Sequence, residues 1–570
     1  MKGIVAAPGM MLAPARIISE PKIVVNKQPV VDVEGELARL GRAIFDCSAR
    51  IERLMDGMGD SVDPQTIEIL DFQLLLLEDT DFIGKIEQTV SEQHINAEYA
   101  TKEISDGYIA YLEGLVDNEY LRERTADVAD LTQQLIAVLS GIDLTVSEPD
   151  GAYIAIGTDL APSVVAELDK KKLQGIILEK GGLTSHCAIL AKSLGIPCLI
   201  KVGGILETVK SDEVILLDAI SGEVVLNPND EQTQAYEKYR TIDAKEKASL
   251  QAYINRASLT PDGAEIEIYA NITTKAEAEE VVRQGGEGVG LFRSELLYMS
   301  QTHRPPSEEK QYAEYAAAAQ ALDGRPLVIR TLDVGGDKQI DYLDIDQEEN
   351  PFLGYRAIRF CLDRPDIFKP QIAAILRAGA VGNVWMMFPM ITCISEVVRA
   401  KQLVEQVKEE LTERRVPFDP AMKVGIMVET PAAAFDAERL AREVDFFSLG
   451  TNDLSQYLFA ADRTNANVAA LNSHFQPTLL RVIHSVVQAA HKAGIEVDIC
   501  GQAAEIDSLI PLWLSMGVDI LSVSVPLITT VRKRLCKTYL SKCGKLLDTV
   551  LRLNTAEQVE QELNKFVEVM

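Results

Sequence analysis

An imidazole follows a glycine pair and two hydroxyls in Gly181-Gly182-Leu183-Thr184-Ser185-His186, and the small residues Cys187-Ala188 come next. The apolar run Gly175-Ile176-Ile177-Leu178 reads as a strand that stops before the glycines, so a helix is expected to begin near His186. Free amide N–H groups and the dipole at a helix start favour a bound phosphate, and an imidazole is a competent nucleophile. The arrangement suits a histidine that is itself phosphorylated. A helix-capping or core histidine would have the same neighbours, and spacing alone does not choose between them.

A second set of reactive residues lies in the C-terminal half, each just beyond an apolar run. The runs are Ile266–Ile272, Gly288–Phe292, Leu327–Ile329, Val384–Phe388, Val424–Val428, Val444–Leu449, Ile495–Ile499 and Ile520–Val523, with enough chain between them for a helix. Eight such repeats point to a (β/α)8 TIM barrel, whose catalytic groups come from the C-terminal ends of its strands. Arg293, Arg330, Glu429, Asn452-Asp453 and Cys500 stand at those ends. Arginine presents a planar fork to phosphate and carboxylate, and Glu429 and Asp453 suit a hard cation that keeps positions free for substrate oxygens.

The rest of the chain must position these groups. Residues 1–30 read as a short strand pair around Pro8-Gly9. Leu37, Leu40, Ile44, Cys47, Ile51, Leu54 and Met58 then step by three and four, one apolar stripe on a long helix. Asp63-Pro64 marks a second helix start, continued by Ile67, Leu70, Leu74 and Leu77, and further helices are expected near Ala97–Leu115 and Glu119–Leu139. Four helices thus form an insert over residues 31–146, in which Leu74–Leu77 serves either the bundle core or a docking face. Short apolar runs alternate with small helices between Gly151 and Pro228, an α/β unit with His186 at a strand-to-helix switch, where ligands tend to bind. The expected domains are residues 1–30 with 147–230, the insert, a charged linker helix over 231–260, and a barrel with C-terminal helices over 261–570.

With 56 basic against 86 acidic side chains the formal charge is −30, which argues against nucleic acid and anionic lipid as partners. A phosphate-ester site must therefore carry its own arginines or metal ion. Eight cysteines show neither metal-ligand spacing nor a secreted framework, so reduced thiols are expected. No apolar run approaches a membrane span and the N-terminus lacks a signal-peptide pattern. A cytoplasmic protein without membrane insertion is the expectation.

The stretch from Gly181 through Ala191-Lys192-Ser193-Leu194-Gly195-Ile196-Pro197 resembles the phosphohistidine signature of enzyme I of the bacterial sugar phosphotransferase system. The segments Gly288–Glu295, Ile329–Lys338, Glu349–Arg356, Val428–Ala434 and Gly450–Tyr457 are similar to that family's barrel signatures. The resemblance implies a multidomain α/β protein: a phosphohistidine α/β domain with a helical-bundle insert that binds the small phosphocarrier HPr, followed by the barrel. It implies phosphoryl transfer from phosphoenolpyruvate to His186, release of pyruvate, and transfer to a carrier histidine. It further implies that Arg293, Arg330, Asn452, Asp453 and Arg463 bind substrate, that Glu429 and Asp453 hold Mg2+, that Cys500 donates a proton, and that the barrel domain forms a homodimer. Arg356 and Lys338 are weaker candidates that also suit structural ion pairs. Around the signature the chain has Leu183 and Lys192 where the family usually has arginine, and Val165 where it usually has threonine. Gln73 and Ala129 replace a common His and Arg on the docking helices. These departures motivate an alternative, a regulatory protein that senses phosphoenolpyruvate with weakened transfer.

Overall fold

The computed structural model describes the chain except for residues 19–22, 58–63, 114–118, 143–150, 161, 170, 183, 184, 186, 189, 190, 192–194, 302, 303, 336–339, 347, 464, 466 and 570. Met58, Asp63, Leu183, His186, Lys192 and Lys338 therefore lie outside the described residues, as does the side chain of Ile67. The chain divides into two compact units, Met1–Lys245 and Glu246–Met570.

The first unit holds a seven-stranded sheet of β1 (Ile4–Ala7), β2 (Met10–Ile17), β3 (Tyr153–Gly157), β4 (Leu173–Leu178), β5 (Cys198–Ile200), β6 (Val214–Asp218) and β7 (Glu223–Leu226), in the order β1-β5-β4-β3-β2-β6-β7. Side-chain alternation with period two gives the sheet two apolar faces. Tyr153, Ala155, Ile176 and Leu178 pack on one with Val165, Cys187 and Ala188. Ile154, Ile156, Ile177 and Leu217 fill the other. The expected pairing of β1 with β2 does not occur: β1 pairs antiparallel with β5, whereas β2 lies between β3 and β6. Gly9 takes φ 145°, and its open side is occupied by the Pro197 ring, so the chain spreads apart at Pro8-Gly9 instead of folding back.

Five helices, not four, make the insert among the described residues: α1 (Val33–Gly57), α2 (Pro64–Glu78), α3 (Thr80–Gln93), α4 (Ala97–Glu113) and α5 (Glu119–Leu139). The stripe read on α1 is its core face, with Leu40, Cys47 and Ile51 buried and Leu37, Ile44 and Leu54 packed beside them. The extra helix arises at Asp79, whose carboxylate accepts from the N–H groups of Asp81 and Phe82 and caps a new start. Leu76 and Leu77 are buried in the bundle, so most of the Leu74–Leu77 run is core, and only Leu75 stays half exposed. Gln73 is buried too, and its amide donates to Asp130 at 3.0 Å.

In the second unit, β8 (Glu267–Ile272), β9 (Gly288–Arg293), β10 (Leu327–Arg330), β11 (Val384–Phe388), β12 (Val424–Val428), β13 (Phe446–Gly450), β14 (Glu496–Cys500) and β15 (Ile520–Ser524) close in chain order into a barrel of parallel pairs. Parallel strands buried on both faces read as unbroken apolar runs, which is why these eight stood out in the sequence. Leu291, Val328, Trp385, Met387, Met427, Phe446 and Cys500 pack together as an interior cluster. The outward faces join the helices in one large core. No helix among the described residues is long and apolar enough to cross a membrane.

Candidate active site

Strand register sets the site. Arg293 and Arg330 are partners across β9 and β10, and Gly450 and Cys500 are partners across β13 and β14, so all four strands end at the barrel's C-terminal rim. Glu429 follows β12 directly and Asn452 and Asp453 open the helix Thr451–Phe459 after β13. The strand-end prediction thus places Arg293, Arg330, Glu429, Asn452, Asp453 and Cys500 around one mouth.

Two arginines are built into the wall. Arg330 is buried; its Nη2 donates to Glu295 Oε1 at 2.6 Å and its Nη1 lies 3.1 Å from Asp333 Oδ2. Arg356 is buried as well, holds Asp333 through Nε and Nη2, and donates from Nη1 to the Tyr457 hydroxyl at 3.0 Å. Asp333 therefore bridges two guanidinium groups. Burial opposes their charge, and the acids around them raise both pKa values above the ordinary arginine range. Arg356 is the ion-pair member that its segment suggested, and its partner Asp333, like Glu295 beside Arg330, is a structural acid that the sequence analysis does not single out. Asp333 leaves a local trace, an acid three residues beyond an arginine that needs one when buried, whereas Glu295 lies on a separate segment and leaves none.

Arg293 is different. It is exposed at the mouth and makes no hydrogen bond or ion pair with the protein among the described residues. Enclosure by the surrounding walls and the neighbouring charge of Arg330 lower its pKa. A guanidinium held without a counter-ion beside a second one is a place for an anion. Arg463, half exposed, approaches Asp453 Oδ1 at 3.5 Å. Asn452 Oδ1 is buried without a hydrogen-bond partner among the described residues.

Two carboxylates complete the mouth. Glu429 is fully buried, and its Oε1 accepts at 2.6 Å from the N–H of Met390, a residue turned to φ 57°. Burial and then the charges of Asp453 and Asp333 push its carboxyl up to about 8. Asp453 Oδ1 is buried with no hydrogen bond among the described residues, and Oδ2 lies 3.7 Å from Arg356. Acids crowded and under-satisfied in this way fit a hard divalent cation, which would relieve both. Among the described residues no cluster of three or more His, Cys, Asp or Glu groups closes around a metal by itself. A pair of acids alone leaves coordination positions for ligand oxygens.

Gly450 is where the backbone makes room for Glu429. A Cβ there would lie 2.8 Å from both Cβ and Oε2 of Glu429. Gly450→Ala is therefore expected to displace that carboxylate, with about 1–3 kcal/mol of overpacking and roughly a 100-fold loss of catalytic rate. Thermal melting and turnover at rising divalent-cation concentration check this, and a variant that melts and turns over as wild type would remove Glu429's position from the argument.

Cys500 is buried in the barrel interior, and burial first, then the nearby Asp498 charge, push its thiol up to about 12. It stays protonated at neutral pH. Burial also raises the Asp498 carboxyl to about 7 from an ordinary 3.8. A raised carboxyl contributes full stability below pH 3.8 and loses it as pH climbs through about 7. The Asp498→Asn variant should lack that decline, a difference of about 4 kcal/mol between pH 4 and pH 8. Denaturant titrations across that window test the sign.

His186 lies outside the described residues; around its position, Cys187 and Ala188 are buried and the Cys187 thiol donates to the Leu160 carbonyl at 3.4 Å. Val165 packs in that same apolar cluster. Three family models match the chain: "PEP-utilising enzyme, N-terminal" over residues 2–124, "PEP-utilising enzyme, mobile domain" over 150–222, and "PEP-utilising enzyme, PEP-binding domain" over 247–539. Among curated relatives, the phosphoenolpyruvate-protein phosphotransferase of Priestia megaterium is 37% identical over 98% of this chain and 97% of its own length. Those of Geobacillus stearothermophilus and Enterococcus faecalis are each 38% identical over 98% of this chain, covering 96% and 98% of theirs. With that identity along nearly the whole length, and a barrel mouth furnished with arginines and paired acids, the chain belongs to the phosphoenolpyruvate-protein phosphotransferase family.

Proposed function

We propose that this enzyme takes the phosphoryl group of phosphoenolpyruvate onto His186 and passes it to a histidine of a small HPr-like phosphocarrier, releasing pyruvate. The observation that carries this is Arg293, an uncompensated guanidinium beside buried Arg330 at the same rim as Glu429 and Asp453. Phosphoenolpyruvate brings a carboxylate and a phosphate on one small carbon frame. Arg293, Arg330 and Arg463 bind and orient its anionic oxygens, and Asn452 offers its amide. Mg2+ held by Glu429 and Asp453 would neutralise phosphate charge, which is most of what a loose phosphoryl transition state requires. The bond between phosphorus and the enol oxygen breaks as the one to His186 Nε2 forms. The electron pair left on the enolate takes the Cys500 proton at C3, which makes pyruvate.

Nucleophile and substrate site belong to different compact units, so transfer requires the histidine-bearing unit to approach the barrel mouth and then the carrier. The enzyme works in the cytoplasm as a homodimer joined through its barrel units, a part of this proposal that rests on family membership. Incubation of the purified protein with Mg2+ and labelled phosphoenolpyruvate should give acid-labile phosphate and an equal amount of pyruvate. Label should vanish in His186→Ala. A wild-type protein that binds phosphoenolpyruvate and stays unlabelled would overturn the proposal.

A further inference from the structure

Cys500 does not end the chain of polar groups inside the barrel. Ser448 Oγ lies 3.1 Å from Cys500 Sγ and 2.8 Å from Asp498 Oδ2, and all three residues are buried. Asp498 and Cys500 alternate onto the same face of β14, and Ser448 stands beside Asp498 in register on β13. The other oxygen, Asp498 Oδ1, has no hydrogen bond of ordinary geometry among the described residues, and its neighbour on the far side is Ser522, which favours the ionised carboxylate. Leaving a carboxylate oxygen orphaned in a barrel interior is unfavourable. Asp498 borders a cavity at the strand starts, whose other walls include Tyr269, Trp385 and the exposed Glu496. Gly290 keeps this region open, because a Cβ there would stand 1.8 Å from Ser522 Oγ and 3.2 Å from Asp498 Oδ2.

We propose that Asp498 and Ser448 are positioning residues that form a proton relay, recharging the Cys500 thiol from solvent at the end of the barrel opposite the substrate. The inference rests on Cys500 as the proton donor to C3. Once Cys500 has given its proton away, Sγ is a thiolate buried next to Ser448. The Ser448 hydroxyl passes its proton to Sγ while the neutral Asp498 carboxyl passes its own from Oδ2 to Ser448 Oγ. One S–H bond forms, one carboxyl O–H bond breaks, and the carboxylate regains a proton from solvent through the cavity. Across a turnover the solvent proton replaces the hydrogen that has entered pyruvate's methyl group. Burial holds Asp498 near neutrality, which supports the donor state. The titratable groups facing it are Cys500 and Glu496 on its own strand and Tyr269 on β8; Ser448, Ser522 and Gly290 bring no charge, and no Lys, Arg or His pairs with it among the described residues.

Isotope partitioning tests the relay without any carrier protein. In deuterium oxide with Mg2+, phosphoenolpyruvate and carbon-labelled pyruvate, the half-reaction run in both directions exchanges carbon label between the two acids. It needs no recharged thiol, because the thiolate can retrieve the proton it gave. Deuterium enters the methyl group only when the thiol has exchanged with solvent in between. The ratio of deuterium entry to carbon exchange therefore reads recharging and cancels changes in overall rate. It should fall ~10-fold or more in Ser448→Ala and in Asp498→Asn, recover in Ser448→Thr, and in wild type decline as pH rises through about 7 while staying flat in Asp498→Asn. A wild-type ratio in both disrupting variants would overturn the relay and leave Cys500 recharging from the mouth. Absence of carbon exchange in wild type would overturn the half-reaction itself, a distinct failure that takes the relay with it. The wild-type pH profile needs no variant, so loss of folding in one substitution does not blunt the test.

Discussion

Arg293→Met should fold and melt like the wild type yet lose roughly 1,000-fold or more in the rate of phosphoenolpyruvate-dependent labelling. The two halves of that expectation come from one fact. The guanidinium makes no ion pair or hydrogen bond with the described residues, so its removal strands no buried acid and stability has no reason to change. Glu295 and Glu277 attract it without bonding it, the proposed role of the guanidinium is to hold an anion at the mouth, and removing a charged group aimed at a transferring phosphoryl costs about 10³–10⁵ in rate. Arg293→Lys separates charge from shape, since an ammonium keeps the charge without the planar fork and should recover part of the loss. Single-turnover labelling with labelled phosphoenolpyruvate, beside calorimetry, decides the matter. An Arg293→Met protein that labels at the wild-type rate would move the substrate elsewhere.

Asp333→Ala should do the reverse and damage fold and activity together. Asp333 is the shared acid of Arg330 and Arg356, all three buried. Truncating one partner of a buried ion pair leaves a charge uncompensated and costs about 3–5 kcal/mol, a fall in the barrel's melting temperature of roughly 10 °C. Arg356 would then have Asp453 as its nearest remaining acid, now 3.7 Å away. Pulling that carboxylate toward arginine competes with its proposed hold on a cation, so activity should also need more Mg2+. Asp333→Asn keeps one acceptor and should lie between the two. Melting of Asp333→Ala at the wild-type temperature would show that the bridge carries little.

The barrel was legible because each of its strands is buried on both faces and therefore written as an apolar run; Val384–Phe388 and Val424–Val428 match the observed strands residue for residue. Its strand ends bring the candidate site residues to one rim for the same reason. Partners supplied by distant segments were not legible: Glu295 reaches Arg330 and Tyr457 reaches Arg356 across separations that no local pattern encodes. Asp79 shows a local miss, since a capping aspartate inside a helical stretch splits it in two. Pro8-Gly9 misled in the other direction, a turn signal that separates two strands which never pair. Asp498 is not legible at its alternate strand position, because burial of a carboxylate is visible only once the barrel is closed.

The placement of β1 and β2 also bears on how the protein is made. Their sheet partners, β5, β3 and β6, are synthesised some 140 to 200 residues later, so this segment waits with unpaired edges while the helices of the insert already have one another to pack against. The seven-stranded sheet can close only after residue 226 has emerged. A nascent chain stalled before β3 should therefore hold a protease-resistant helical core and a protease-sensitive β1–β2 segment, and that segment should become fully resistant only in chains that extend past β7.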